Sequence, residues 1–354
     1  MKKQNQILLH IIFISLILFS HNSISQEWSD PVNVSPNMPG LDNQPDLCID
    51  KNGILHCVFT HKLDNNWRKI YYAKSTDEGA SWTTPEDISL NEDTSLMNPH
   101  IVNDSNHTLY VAYDYNTGNP SQTMIHLKTF DGIQWSEPFI VSEGLYNSDH
   151  NQLVIDNNDR LYCFWYYGGE SLYRYYDNGL WSDVLIPYPD EYYWIIGPIV
   201  VDDENNLNCI GAYLEEGQTI TEIKVINFQY LAQEDYWTDK TIISNASYIG
   251  SNNWDIDINN SNLPHVAYRQ KTSDTGPYSD STMYTYNNGN FWTEPDLVVN
   301  DPYEQRIAID PYNRAHIIDR EKTETGYKLV HYQNYGGFWQ GYIIDTADNS
   351  VKGI

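Results

Sequence analysis

The sequence is poor in positive charge and in cysteine. Beyond its N-terminal segment it also lacks any long apolar run. Lys and Arg number 20 against 48 Asp and Glu, a formal net charge of −28. A chain this acidic repels a polyanion, which argues against nucleic acid as a partner. The four cysteines, Cys48, Cys57, Cys163 and Cys209, lack the paired spacing of a zinc site. No stretch carries the period of a long amphipathic helix. Charged residues are only 19% of the chain and aromatic residues 14%, so a packed core is expected rather than disorder.

The one apolar run, from Ile7 to Phe19, follows Lys2 and Lys3 and precedes Ser23 and Ser25. That arrangement reads as a secretory signal over residues 1–25. The run is shorter than the roughly 20 residues of a membrane span. The expectation is a secreted protein, periplasmic or extracellular. Residues 26–354 then form one domain with no membrane span in the mature chain. Secretion permits disulfides, and a Cys48–Cys57 cross-strand bridge is one candidate.

What is present is a repeat. Seven tryptophans stand in similar contexts: EWSDPVNVS (Trp28), SWTTPEDIS (Trp82), QWSEPFIVS (Trp135), LWSDVLIPY (Trp181), YWTDKTIIS (Trp237), FWTEPDLVV (Trp292) and FWQGYIIDT (Trp339). Each interval holds a short apolar strand ending in an acidic turn, as in DLCIDKNG and LVIDNND. A second strand follows, as in LYVAY and LPHVAY, and a third runs to a Gly or Asn turn, as in MYTYNNG. Val, Ile, Tyr and Trp favour strands, and the Asn/Asp/Gly turns are hairpin chemistry. Four-stranded units in series, none able to bury its own faces, predict an all-β chain: a six-bladed β-propeller of four-stranded antiparallel blades. Six sets of first-to-third strands against seven Trp segments leave a seven-bladed or incomplete ring as the alternative. The tryptophans are expected in outer strands, packed between blades.

Residues 75–82, Ser-Thr-Asp-Glu-Gly-Ala-Ser-Trp, match the Asp-box, S-x-D-x-G-x-[ST]-W. Degenerate copies stand at Asp131-Gly132, Asp177-Asn178-Gly179 and Asn287-Asn288-Gly289. The chain thereby resembles the secreted sialidase-like propellers of the bacterial neuraminidase repeat. That family's Phe-Arg-Ile-Pro element is missing: Gln44-Pro45-Asp46 stands where its arginine belongs, and Arg68 is the only arginine of the first unit. Ser148-Asp149-His150-Asn151, followed by LVIDNNDRLYCFW, looks like the His-Asn element of propeller-type polysaccharide lyases, the ulvan lyases among them. That resemblance implies a His, an aromatic hydroxyl and an arginine serving elimination at a uronic acid.

The repeat also sorts residues. His56, His265 and His316 share one position of the second strand and read as scaffold. Cys57, Cys163 and Cys209 share the next position and read as small buried apolar groups. Polar residues peculiar to single blades, at the starts of first strands and in the second-to-third loops, gather at one mouth of the ring. From first-strand starts come Asp46, His100, His150, Gln152, Trp254, Asp255 and Arg306. From the loops come His61, Asp114, Tyr115, Tyr166, Tyr167, Arg269 and Arg320. Arg269, Arg306 and Arg320 belong to the last two blades; they either converge as a carboxylate- or sulfate-binding pocket or pair with nearby acids.

Three functions fit. A polysaccharide lyase would use an arginine on the uronate, His150 or His100 as base and Tyr166 or Tyr167 as acid. A sialidase-like glycoside hydrolase would draw on Asp46, Asp114 and Asp255. A non-catalytic glycan-binding or scaffold propeller would use aromatic faces. In each the partner is a glycan or acidic polysaccharide. No cofactor or metal is called for; Asp-rich turns offer donors for Ca²⁺, but such turns ordinarily bond their own backbone.

Overall fold

Hairpin chemistry repeated along the chain produces six antiparallel sheets, each with its strands in chain order. The computed structural model describes residues 29–64, 67–89, 94–116, 122–187, 193–213, 224–244, 254–271, 280–300, 302–324 and 326–347. Trp28 and the signal-like segment lie outside them. Blade one holds β1 (Leu41–Ile49), β2 (Leu55–Lys62), β3 (Arg68–Ser75) and β4 (Glu86–Asp87). Blade two holds β5 (Ser95–Asn103), β6 (Leu109–Asn116), β7 (Thr123–Phe130) and β8 (Phe139–Ile140). Blade three holds β9 (Ser148–Ile155), β10 (Leu161–Tyr167), β11 (Glu170–Asp177) and β12 (Leu180–Trp181). Blade four holds β13 (Tyr193–Val201), β14 (Leu207–Tyr213), β15 (Lys224–Leu231), β16 (Tyr236–Trp237) and β17 (Thr241–Ser244), the last also pairing with β15. Blade five holds β18 (Trp254–Ile258), β19 (Pro264–Lys271), β20 (Asp280–Tyr286) and β21 (Asp296–Asn300). Blade six holds β22 (Pro302–Ile309), β23 (Ala315–Lys322), β24 (Tyr327–Tyr335) and β25 (Phe338–Ala347). The protein is a six-bladed β-propeller.

The core lies between blades. Five apolar clusters each join two consecutive blades; Val58, Ile70 and Tyr72 of blade one, for example, meet Ile101, Leu109 and Val111 of blade two. The repeat tryptophans of blades two to six pack between blades, as expected. Trp135, Trp237 and Trp339 each set their indole edge-on against a third-strand tyrosine of the preceding blade, Tyr72, Tyr173 and Tyr284. The outer strands themselves are shorter than the sequence pattern suggests, two to five residues in blades one to five. In blades one, two and five a proline, Pro85, Pro138 or Pro295, follows three residues after the Trp. It has no N–H to give to the ladder, which keeps these edges short and unattractive to other strands.

Turns close by side-chain bonds. In residues 75–81 the Asp77 carboxylate accepts from Ser81 N at 2.9 Å and Ser75 Oγ accepts from Gly79 N at 2.9 Å. Gly79 takes φ 87°. Each first-to-second-strand turn opens on Asp50, Asp104, Asp156, Asp202, Asn259 or Asp310, whose Oδ1 accepts the N–H groups two and four residues on.

The disulfide expectation is not met. All four cysteines are free. Cys48 stands opposite His56, and Cys57 opposite Leu47. Offset by one residue, the two thiols leave opposite faces of blade one. The shared-position readings hold: His56 and His265 bond Tyr72 and Tyr284 hydroxyls at 2.7 and 2.6 Å, and Cys57, Cys163 and Cys209 are buried.

Candidate functional site

Strand register fixes which residues share a place at the mouth. On the second strands, Thr60, Asp114, Tyr166, Ala212, Arg269 and Arg320 are equivalent; on the first strands Asp46, His100, Gln152, Pro198, Asp255 and Arg306 are. One frame thus presents dissimilar side chains in successive blades.

In blades one to three the first strand bulges as it leaves the mouth, and Gln44, Asn98 and His150 adopt φ of 53°, 51° and 54° there. A left-handed His costs about 1–2 kcal/mol more than Gly would, and such strain gathers at functional sites. Asp114 fixes this stretch from beneath. It is 1% exposed and accepts from Asn98 Nδ2 at 2.6 Å, Asn151 Nδ2 at 2.8 Å and His150 N at 3.1 Å. Burial pushes its carboxyl up, against the pull of those donors.

The His150 imidazole stands above, its side chain 42% exposed, with Nδ1 2.9 Å from Asp149 Oδ1. That hydrogen bond raises its pKa against the effect of burial. With Nδ1 engaged, Nε2 is the nitrogen left to meet a ligand. Tyr166 is the cross-strand partner of Asp149, so phenol and carboxylate share a face. Tyr167, opposite Ser148, turns to the other face and packs into the cluster between blades two and three. Gln152 is half-buried. His100 sits 3.4 Å from Asp46 Oδ2.

Other candidates are taken up by structure. Asp46 Oδ2 accepts from Ile101 N at 2.8 Å, and Asp255 Oδ2 from Ile307 N at 2.9 Å. Each carboxylate stitches its blade to the next. Burial opposes ionisation at both; His100 and backbone donors still hold Asp46 low, whereas Asp255 is pushed up to about 6. Trp254 is 3% exposed, in the core between blades four and five, with its indole laid on Gly197. It offers no face for a sugar.

The three arginines are all ion-paired. Arg269 bonds Asp280. Arg320 and Arg306 share Glu304, at 3.2 and 3.8 Å. Arg320 is buried between Tyr303 and Tyr327, 4.2 and 5.0 Å from their ring centres. Arg306 is 43% exposed on a long ion pair, so it is the guanidinium best able to take an external anion. Asn98 and Glu304 were not singled out from the sequence, and Asp149 and Asn151 were named there only as neighbours of His150 in the His-Asn element. The extra residue that each bulge inserts decides which of them face the mouth, and periodicity does not show a bulge. Among the described residues no group of three His, Cys, Asp or Glu is arranged to hold a metal ion.

No protein-family profile matches the chain, and no curated protein sequence does. Solved structures do. An ulvan lyase of polysaccharide lyase family PL25, bound to a -[GlcA(1-4)Rha3S]- fragment, superimposes with a TM-score of 0.59 at 15% identity, over 89% of this chain and 84% of that one. The intramolecular trans-sialidase of Ruminococcus gnavus gives 0.58 at 11% identity, covering 88% and 96%. The α-L-arabinofuranosidase Arb93A of Fusarium graminearum gives 0.52 at 13%, covering 79% and 88%. At such identities the likeness is one of fold.

Proposed function

We propose that this chain is a carbohydrate-active propeller that cleaves an acidic polysaccharide by β-elimination at a uronic acid. The observation that carries the reading is the His150 group: a partly exposed imidazole on a left-handed bulge, oriented by Asp149, whose cross-strand partner is Tyr166. The neutral Nε2 of His150 removes the C5 proton of the uronate, and the electron pair passes through the C4–C5 bond to expel the C4 oxygen. Tyr166 gives its proton to that leaving oxygen. Arg306 binds an acid group of the same polymer across the mouth. The fold similarity to an ulvan lyase supports this choice of chemistry. Hydrolysis is less well supported, because Asp46 and Asp255 are bound to backbone and Asp114 is buried under the bulge.

The test is incubation with a panel of uronate-containing polysaccharides, following ultraviolet absorbance of the unsaturated product. Absorbance should rise with wild type and stay flat with His150→Ala. A flat panel from folded wild-type protein overturns the reading.

A further inference from the structure

Five of the six junctions between blades are built alike, and the sixth is not. The innermost strands β1 and β5, β5 and β9, β9 and β13, β13 and β18, and β18 and β22 pack side by side; β22 and β1 show no comparable packing among the described residues. The five apolar clusters fall at those same five junctions, and among the described residues none joins blade six to blade one.

Burial at one repeated position shows the same thing. Each first strand carries an aliphatic residue that faces the preceding blade: Leu47, Ile101, Leu153, Ile199, Ile256 and Ile307. Ile101, Leu153, Ile256 and Ile307 are 2–9% exposed and Ile199 packs against a core cluster, while Leu47 is 53% exposed and its neighbour Ile49 61%. Farther from the axis Cys57 and Phe59, on the same face, are buried. The uncovered stretch is therefore confined to the innermost strand.

The sequence itself withholds a bond there. On the opposite rim, at four junctions, the N–H one residue after the turn's leading Asp or Asn donates to a side chain in the next blade. Ser105 bonds Asp159, Asn157 bonds Asn205, Asp203 bonds Asn262 and Asn260 bonds Asn313, at 2.7, 2.8, 3.3 and 3.0 Å. Between blades one and two, His107 Nδ1 meets Asp50 instead, at 3.1 Å. For blades six and one the two positions are Pro311, which has no N–H, and Gly53, which has no side chain.

We infer that the propeller is a split ring with a single seam between blades six and one. Through this seam the flank bearing Arg306 moves against the flank bearing Asp46 and His100, so the mouth adjusts its width to what it holds. The inference is independent of which reaction the mouth performs.

Two measurements test it, neither of them using activity. First, with Cys48→Ser as background, thiol labelling compares Leu47→Cys with Ile101→Cys and Ile307→Cys. Leu47→Cys should react faster by about tenfold or more, since local opening governs access to the other two. Equal rates mean a sealed junction and overturn the proposal. Second, Gly53→Asn and Pro311→Asn together restore donor and acceptor. Asn is tolerated at the first position, because its equivalents Asn205, Asn262 and Asn313 hold φ of 58–68° and a Cβ at Gly53 meets nothing within 4 Å. The pair should slow labelling at position 47 and raise Tm by more than the two single variants summed. Additive effects with unchanged labelling mean that the flanks never meet, and they overturn the movable seam.

Discussion

His150 owes its proton affinity to one neighbour. The hydrogen bond from its Nδ1 to Asp149 favours the charged imidazole more than partial burial disfavours it, so its folded pKa lies above the ordinary histidine value. If the neutral imidazole is the base, activity falls on the acid side of that pKa. Replacing Asp149 by Asn removes the charge and should move the acid limb of the pH–rate profile to lower pH, a shift that NMR titration of the His150 ring can follow in parallel. An unmoved limb would separate His150 from the chemistry. Asp114 acts one step removed: its donors come from Asn98, Asn151 and the His150 backbone, so it sets where the imidazole stands without touching a substrate.

Among the elements, β13 and β18 pack with the Trp254 indole against Gly197, which leaves room for it. A Cβ at Gly197 would overlap that ring, so Gly197→Ala should cost about 1–3 kcal/mol, read as a lower Tm and urea midpoint. This junction also shows what the sequence conveys. Register was legible, since a repeat shows equivalent positions in six copies: the scaffold histidines and the buried cysteines fall where the pattern puts them. The fate of each polar side chain was not legible. Asp46 finds its partner 55 residues away and Asp255 52 residues away, each in the next blade. No local pattern tells a carboxylate spent on a neighbour's N–H from one left to a ligand. Trp254 was misread for the same reason; the glycine that buries it lies in another sheet.

At the scale of the molecule, buried charge makes stability depend on pH. Burial pushes Asp319 up to about 7 despite its bond from Thr282 Oγ1, and Asp255 to about 6. Both folded values exceed the unfolded value of about 3.9. Their contribution is therefore whole below about pH 4 and is lost as pH rises through 6 to 7. Buried His265 and His331, held down to about 4, work in the opposite sense and lose stability below about pH 6.5. Asp319→Asn isolates the first effect. Its Tm relative to wild type should climb between about pH 5 and pH 8, and a constant difference would mean that Asp319 does not titrate in that range. The six equivalent second-strand seats, Thr60, Asp114, Tyr166, Ala212, Arg269 and Arg320, carry a further consequence. Because one backbone frame serves them all, a functional group can be transplanted by sector: exchanging Tyr166 with Ala212 carries the phenol one step around the axis at unchanged depth. The wheel is thus a ready-made turntable for asking where around the rim a given chemistry has to sit.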